Sequence, residues 1–398
     1  MPDVVVIGAG VVGAAAAYFL TEAGARVEVL EANDVASGVT AASFAVDVTR
    51  IKTPRMLYDL ALTAGDEHAA LESALGSGRW VHRVPTLEWA YSARDKDRLH
   101  RRVERLGDWG YPAEWISRAE AHEVEPALEL PTTAPDEIAL FPRGACYEPA
   151  VFCHELLERA QSRSASLHVQ DHVTEFKMAG GRITSVLTAS GRTVDADVVV
   201  NCAGPDAARL AALAGSQVPL QRIPGFIASI VPERVRLRAI VHAGDLNLRP
   251  DGDKRILLHS WLQDAGLDPE QPSERLTRGE RLLHQAGVVI PGIASAEMQG
   301  TRFGVRPVPP DGLPIVGFTG DVENLYVVVS HSGVHLAPLL GRLAARELTG
   351  RPEGRLDSLR PSRFTDAQEV EFLDESARSM LTVRDSATSD VAKSRAKG

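Results

Sequence analysis

Val4-Val5-Val6-Ile7-Gly8-Ala9-Gly10-Val11-Val12-Gly13 stands at the head of the chain. It is followed by an alanine-rich stretch through Leu20, by Gly24, and by Val27-Glu28-Val29-Leu30-Glu31. The order reads as strand, tight glycine turn, helix, strand and acid, which is the dinucleotide-binding fingerprint in its full context. Gly8 permits the sharp turn out of the strand. Gly10 has no Cβ, so the backbone can approach a pyrophosphate. Gly13 and the alanines after it let the helix lie close to the sheet. The helix N-terminus then offers N–H groups and a partial positive charge to phosphates. Glu31, at the tip of the second strand, is placed to accept hydrogen bonds from ribose hydroxyls, and its charge disfavours a 2′-phosphate. By itself the stretch leaves NAD and FAD both open.

The chain has 398 residues and a formal net charge of −10. This length buries a large core and predicts two domains. No block of Lys and Arg points to nucleic acid or anionic lipid. No apolar run approaches the roughly 18 residues of a spanning helix. A strand that starts at residue 4 predicts no signal peptide and a cytoplasmic location. Cys146, Cys153 and Cys202 are too few and too scattered for a disulfide framework or a zinc site. His168 and His172 read as one strand face with no third ligand near, so no metal site is expected.

Outward from the fingerprint, residues 32–44 are small and hydroxylated, as expected of a segment lying along the cofactor. Periodicity predicts a helix from Pro54 to Leu75, a strand from Val84 to Ala90 and a helix from Arg94 to Trp109. The charges of this last helix read as a solvated face. A helix start follows at Ser117, and another helix runs from about Pro149 to Ala165. Leu167–Val169, His172–Phe176, Arg182–Thr188 and Thr193–Cys202 read as a small sheet. Its last member, Val198 to Gly204, is a buried parallel strand ending in glycine. In an open α/β sheet ligands sit beyond the carboxyl ends of such strands.

Residues 218–262 are strand-rich, with a hairpin signal at Asp251-Gly252-Asp253, and predict an antiparallel sheet of a second domain. Helix 273–286 and strand 298–306 follow. Then come a strand at Leu325–Val329, a second glycine turn, Ser330-His331-Ser332-Gly333, and a helix to Leu348. The stretch from Asp366 to Glu375 reads as a short helix and Ser386 to Gly398 as disordered.

Taken together, the fingerprint, the Ser37–Phe44 loop, Val198–Gly204, the Gly304-Val305-Arg306-Pro307 and Asp311-Gly312-x-Pro314-x-x-Gly317 motifs, and Ser330-His331-Ser332-Gly333 resemble the D-amino acid oxidase family, over about residues 3–364. The resemblance implies FAD and an α/β fold: a Rossmann-type FAD-binding domain interleaved with an α+β substrate domain built on an antiparallel sheet. The division expected is 1–75, 140–217 and 300–364 for the first, 76–139 and 218–299 for the second, and 365–398 as a tail. Carried over by position, Val12, Glu31, Ala32, Thr40, Ser43 and Phe44 would line FAD, with Gly8, Gly10 and Gly13 at its pyrophosphate. Val173 would meet the adenine, and Ala203 and Gly204 would flank the pyrophosphate. Gly333, Val334, His335 and Leu336 would lie under the flavin pyrimidine, where a helix N-terminus suits the negative charge of the reduced ring.

Arg306 matches the position whose guanidinium grips a substrate carboxylate, a planar fork on a planar acid. The other reading pairs it structurally with Asp311 or another acid. His331, His242 and His259 are further substrate-side candidates. Gly304 stands where some relatives carry a flavin-linking cysteine, and residues 32–49 hold no histidine, so FAD is expected to be non-covalent. No lysine lies within 255–261; Lys254 is just outside. The expected reaction is oxidation of the C–N bond of an amino acid or related amine, with electrons passed to oxygen or another acceptor. The alternatives are 2-hydroxy acid oxidation on the same scaffold and a non-catalytic dinucleotide-binding module.

Overall fold

The computed structural model describes residues 2–268 and 271–364, so the segments expected at 366–375 and 386–398 lie outside it. The fingerprint folds as strand Asp3–Ile7, helix Val11–Glu22 and strand Arg26–Leu30. These strands are central in a six-stranded sheet whose order is 315–318, 325–329, 198–201, 3–7, 26–30, 165–168. All neighbours are parallel except 315–318, which runs antiparallel at the edge. Val4 and Val6 join a core beneath helices 11–22 and 333–348, while Val5 and Ile7 join a core on the opposite face with Val199 and Val327. A strand buried on both faces has no polar alternation, which is why Val4–Ile7 is a continuous apolar run.

The second sheet has eight strands, in the order 297–308, 221–231, 255–260, 246–251, 240–243, 86–89, 137–141, 114–117. Its neighbours are antiparallel, except that 240–243 pairs in parallel with 86–89. Helix Pro272–Val289 covers one face, where Leu87, Val241, Leu248, Leu258 and Leu282 form a core. The other face looks onto the carboxyl ends of the first sheet. Sequence-based boundaries at 140 and 300 fall inside strands 137–141 and 297–308, so the chain changes sheets after Phe141 and after Val308.

Three local expectations change. The strand expected over 84–90 is shorter, Thr86–Trp89 in the large sheet, and a separate strand before it, Val81–Arg83, pairs with Ala145–Tyr147. Pro85 falls between them, with no N–H for a ladder. Residues 165–168 form the edge strand of the parallel sheet and leave the small sheet to 173–179, 182–188 and 193–195. Thr193–Cys202 breaks after Asp195. The carboxylate of Asp197 accepts the Asp3 N–H at 2.9 Å, and the chain restarts as a parallel strand at Val198. Among the described residues, no helix is long and apolar enough to cross a membrane, and no group of three metal-ligating side chains comes together. His168 instead pairs with Glu28 at 2.7 Å.

Candidate active site

One cavity of about 490 Å³ lies between the two sheets. Its floor is built from segments that leave the carboxyl ends of the parallel strands: Gly8 to Val12 after the first, Glu31 to Asn33 after the second, Cys202 to Asp206 after 198–201, and Ser330 to His335 after 325–329. Such a crevice is where an open α/β sheet receives its ligand. Of the residues expected at the cofactor, Gly8, Gly10, Val12, Glu31, Ala32, Thr40, Ser43, Phe44, Val173, Ala203, Gly204, Gly333, Val334 and His335 line it. Gly13 and Leu336 do not. A Cβ on Gly13 would stand 1.8 Å from the Gly8 carbonyl oxygen, so its bareness serves the turn itself. Leu336 gives its N–H to the Ser332 carbonyl and its side chain to the core, which removes it from the expected contacts.

The floor fits a dinucleotide on the evidence of its own groups. Gly8 adopts φ of +105°, a conformation open to glycine. In neither the 11–22 helix nor the 333–348 helix does the N-cap residue's side chain cap the N-terminus, and among the first N–H groups of the former only that of Val11 reaches a side chain, Thr40 Oγ1 at 3.3 Å. Both therefore present backbone N–H groups and a positive dipole end to the same cavity. A Cβ at Gly10 would come 2.9 Å from Thr40 Oγ1, so the loop after the second strand already presses on the turn. The carboxylate of Glu31 is held by the N–H groups of Ala9 at 2.7 Å and Asn33 at 2.8 Å, leaving a lone pair on each oxygen for a ribose.

The turn at Gly333 is fixed from below by a buried polar chain. The Trp80 indole N–H donates to His68 Nδ1 at 3.2 Å, so the ring proton of neutral His68 sits on Nε2, which donates to the His335 carbonyl at 3.2 Å. His335 Nε2 donates to the Ala61 carbonyl at 2.8 Å, and its Nδ1 accepts from the Tyr147 hydroxyl at 2.9 Å. The imidazole of His335 is therefore engaged in the core although the residue borders the cavity.

The roof follows from the period of two in its strands. Leu87, Val241, Leu248 and Leu258 point into the core, so Glu88, His242, Asn247 and His259 point the other way. Register aligns them: Glu88 faces His242, His242 faces Asn247, and Asn247 faces His259. The result is one polar row across four strands. His242 Nδ1 pairs with Asn247 Oδ1, and Asn247 Nδ2 reaches His259 Nδ1 at 3.3 Å. His259 Nε2 lies 3.1 Å from Asp264 Oδ2. His242 Nε2 is buried with no hydrogen-bond partner among the described residues. Burial, helped by Arg50, pushes this imidazole down to about 3, so it is neutral at ordinary pH.

Arg306 enters from the edge strand 297–308, two strands from His259 across 221–231. Its guanidinium lies over Gly225, where a Cβ would come 2.3 Å from both terminal nitrogens. It donates to Asp264 Oδ2 at 2.6 Å and to the Pro224 carbonyl at 3.3 Å, and stacks 4.8 Å from the Trp261 ring centroid. Burial pushes the Asp264 carboxyl up, but Arg306 and His259 outweigh it and hold the group below its ordinary value. Of the two readings of Arg306, the arginine does have an acidic partner, and that partner is Asp264. Asp311 is taken by Arg363 at 2.7 Å. Arg306, His331, His242 and His259 all line the cavity.

Several residues outside the expected set line the cavity: Trp261, Asn247, Glu88 and Arg50. So do Arg98, Arg102 and Arg105 of helix Ala93–Asp108, which overturns the expectation of a wholly solvated charged face. Behind this lining Arg249, buried in the roof, donates to the Phe44 carbonyl at 2.5 Å and fixes the loop over the floor.

Comparison with known proteins agrees with this geometry. The family described as FAD dependent oxidoreductase (DAO) matches residues 3–347. Glycine oxidase of Geobacillus kaustophilus is 28% identical over 373 residues, which cover 89% of this chain and 94% of that protein. Its crystal structure superposes with a TM-score of 0.81 at 25% identity, covering 92% of this chain and 99% of the other. The crystal structure of iminodiacetate oxidase from a Chelativorans species superposes with a TM-score of 0.78 at 26% identity, covering 90% and 98%. With residues 3–347 matching the family model, the chain belongs to the DAO family of FAD-dependent oxidoreductases.

Proposed function

We propose that the protein oxidises the C–N bond of an amino acid or a related primary or secondary amine to an imine, with oxygen or another acceptor taking the electrons afterwards. The observation that carries the reading is the roof above the FAD floor, where a carboxylate-binding fork, Arg306, and an uncommitted neutral imidazole, His242, line one cavity. The relatives named glycine oxidase and iminodiacetate oxidase act on amines that bear carboxylates, which supports the same class here.

FAD, when bound, supplies the acceptor for the α-hydrogen and two electrons. The chain's own groups do the rest. Arg306, held in plane by Asp264, Pro224 and Trp261, orients the substrate carboxylate. His242 Nε2, a bare acceptor, takes a hydrogen bond from an N–H of the amine and so fixes the direction of the nitrogen. The open N-terminus of helix 333–348 stabilises negative charge that develops above it. Phe44, 5.7 Å from the His259 ring centroid, and Trp261 exclude water.

FAD is held without a covalent bond in this reading. The buried thiol of Cys202 borders the cavity, and burial pushes its pKa up, away from the reactive thiolate. The six-stranded part serves as cofactor domain and the eight-stranded part as substrate domain of a soluble cytoplasmic enzyme, in keeping with the net charge of −10. The test is anaerobic bleaching of the visible flavin band against D- and L-amino acids, N-substituted amines and 2-hydroxy acids. Bleaching by hydroxy acids alone would overturn it.

A further inference from the structure

The cavity has a second cationic end that the reaction above does not use. Arg98, Arg102 and Arg105 are spaced i, i+4 and i+7 on helix 93–108, which puts them on one side of it. Arg50 meets them from the floor. Exposure falls along the set: the side chain of Arg98 is 57% exposed, that of Arg102 14% and that of Arg50 5%. This is a basic path from the mouth inwards, a shape that draws anions.

Glu88 lies at its inner end, 2.6 Å from Arg102 and 3.2 Å from Arg50. Arg50 and Arg102 share this one carboxylate, and Arg98, nearer the mouth, has its own partner in Asp95 at 3.1 Å, so the inner pair carries more positive charge than Glu88 neutralises. Arg50 Nε is buried with no hydrogen-bond partner among the described residues. Excess charge in a secluded site is costly unless an incoming anion meets it. Arg306, by contrast, already has Asp264.

We propose that the substrate carries a second anionic group, remote from the carboxylate held at Arg306, and that this group docks on the wall formed by Arg50 and Arg102. The substrate class is then a dicarboxylic amino acid, or an amine bearing two carboxylates; the amine part rests on the function proposed above. The polar row from Glu88 to His259 crosses three strand spacings, about 14 Å. That length suits acids separated by several bonds, bridged by the reach of the arginine side chains.

The test uses the FAD-loaded protein and inert ligands. Straight-chain dicarboxylates from malonate to suberate are titrated calorimetrically beside monocarboxylates of matched length. At one optimal length the dicarboxylate binds roughly tenfold tighter or more, the worth of one charge-assisted contact. Arg102→Gln and Arg50→Gln shrink that ratio towards one, while Arg306→Gln weakens both ligand series. Equal affinity for mono- and dicarboxylates at every length overturns the inference without any variant. An unchanged ratio in both Arg102→Gln and Arg50→Gln overturns it as well. A flavin that no amine bleaches would instead sink the proposed reaction, because the binding comparison does not depend on turnover.

Discussion

Arg306 and Asp264 form an ion pair of 2.6 Å whose side chains are only 14% and 6% exposed. Removing one partner strands the other in a secluded place. Arg306→Ala should therefore cost about 3–5 kcal/mol of folding stability, and raise KM for carboxylate substrates roughly ten- to hundredfold. The double variant with Asp264→Ala should lose less stability than the sum of the single changes, since neither charge is then left alone. Denaturant unfolding of the four proteins completes the cycle, and strictly additive losses would show that the pair is not coupled.

His68 gives the fold a pH dependence. Its ring is buried, and both nitrogens are satisfied in the neutral form by Trp80 and His335. Burial, with a further push from His335, brings it down to about 3 from an ordinary 6.5. The folded state thus binds fewer protons than the unfolded state between those values. Stability is full above about pH 6.5 and falls on acidification, by up to about 1.4 kcal/mol per pH unit for each such group. His242 adds to the same window. His68→Gln, whose amide can accept from Trp80 and donate to His335, should flatten the fall of Tm between about pH 6.5 and pH 4.5. An unaltered slope would remove His68 from the account.

The floor of the site was legible because each of its parts is local. Gly8, Gly10 and Gly13 sit within six residues of one another, and the uses of a strand, a turn and a helix start are written side by side. The roof was legible only in part. Glu88 and Asn247 occupy the polar positions of alternating strands, and a polar position reads the same whether it faces bulk water or a cavity. The same ambiguity hid Arg98, Arg102 and Arg105, whose helix looks amphipathic in either setting. Asp264 was invisible as the partner of Arg306 because 42 residues separate them and only the packing of the short helix Trp261–Asp264 brings them together.

Gly304 tests how closely the loop over the floor is packed. A Cβ there would stand 2.9 Å from Ala42 Cβ and 3.1 Å from Val39 Cα. Gly304→Ala should therefore press the Val39–Phe44 loop outward, lower stability by about 1–3 kcal/mol and speed FAD release. Gly304→Cys should behave alike and leave FAD extractable by denaturation. A stable Gly304→Cys protein that keeps its flavin on a denaturing gel would overturn both the packing argument and the non-covalent reading.

Glu31 separates the structural and the cofactor roles of the fingerprint. Its carboxylate accepts the N–H groups of Ala9 and Asn33, so it shapes the turn before any ligand arrives. Glu31→Gln turns one acceptor oxygen into a donor amide, which sets N–H against N–H and leaves one of these backbone groups without its partner. The cost to the apoprotein should be about 1–3 kcal/mol. If the carboxylate also holds the ribose, FAD affinity drops by at least roughly tenfold, and Tm of the FAD-loaded protein falls further than Tm of the apoprotein. Fluorescence titration of the apoprotein with FAD, alongside the two melting curves, reads both effects. Equal falls in the two melting temperatures, with an unchanged FAD dissociation constant, would confine Glu31 to the turn.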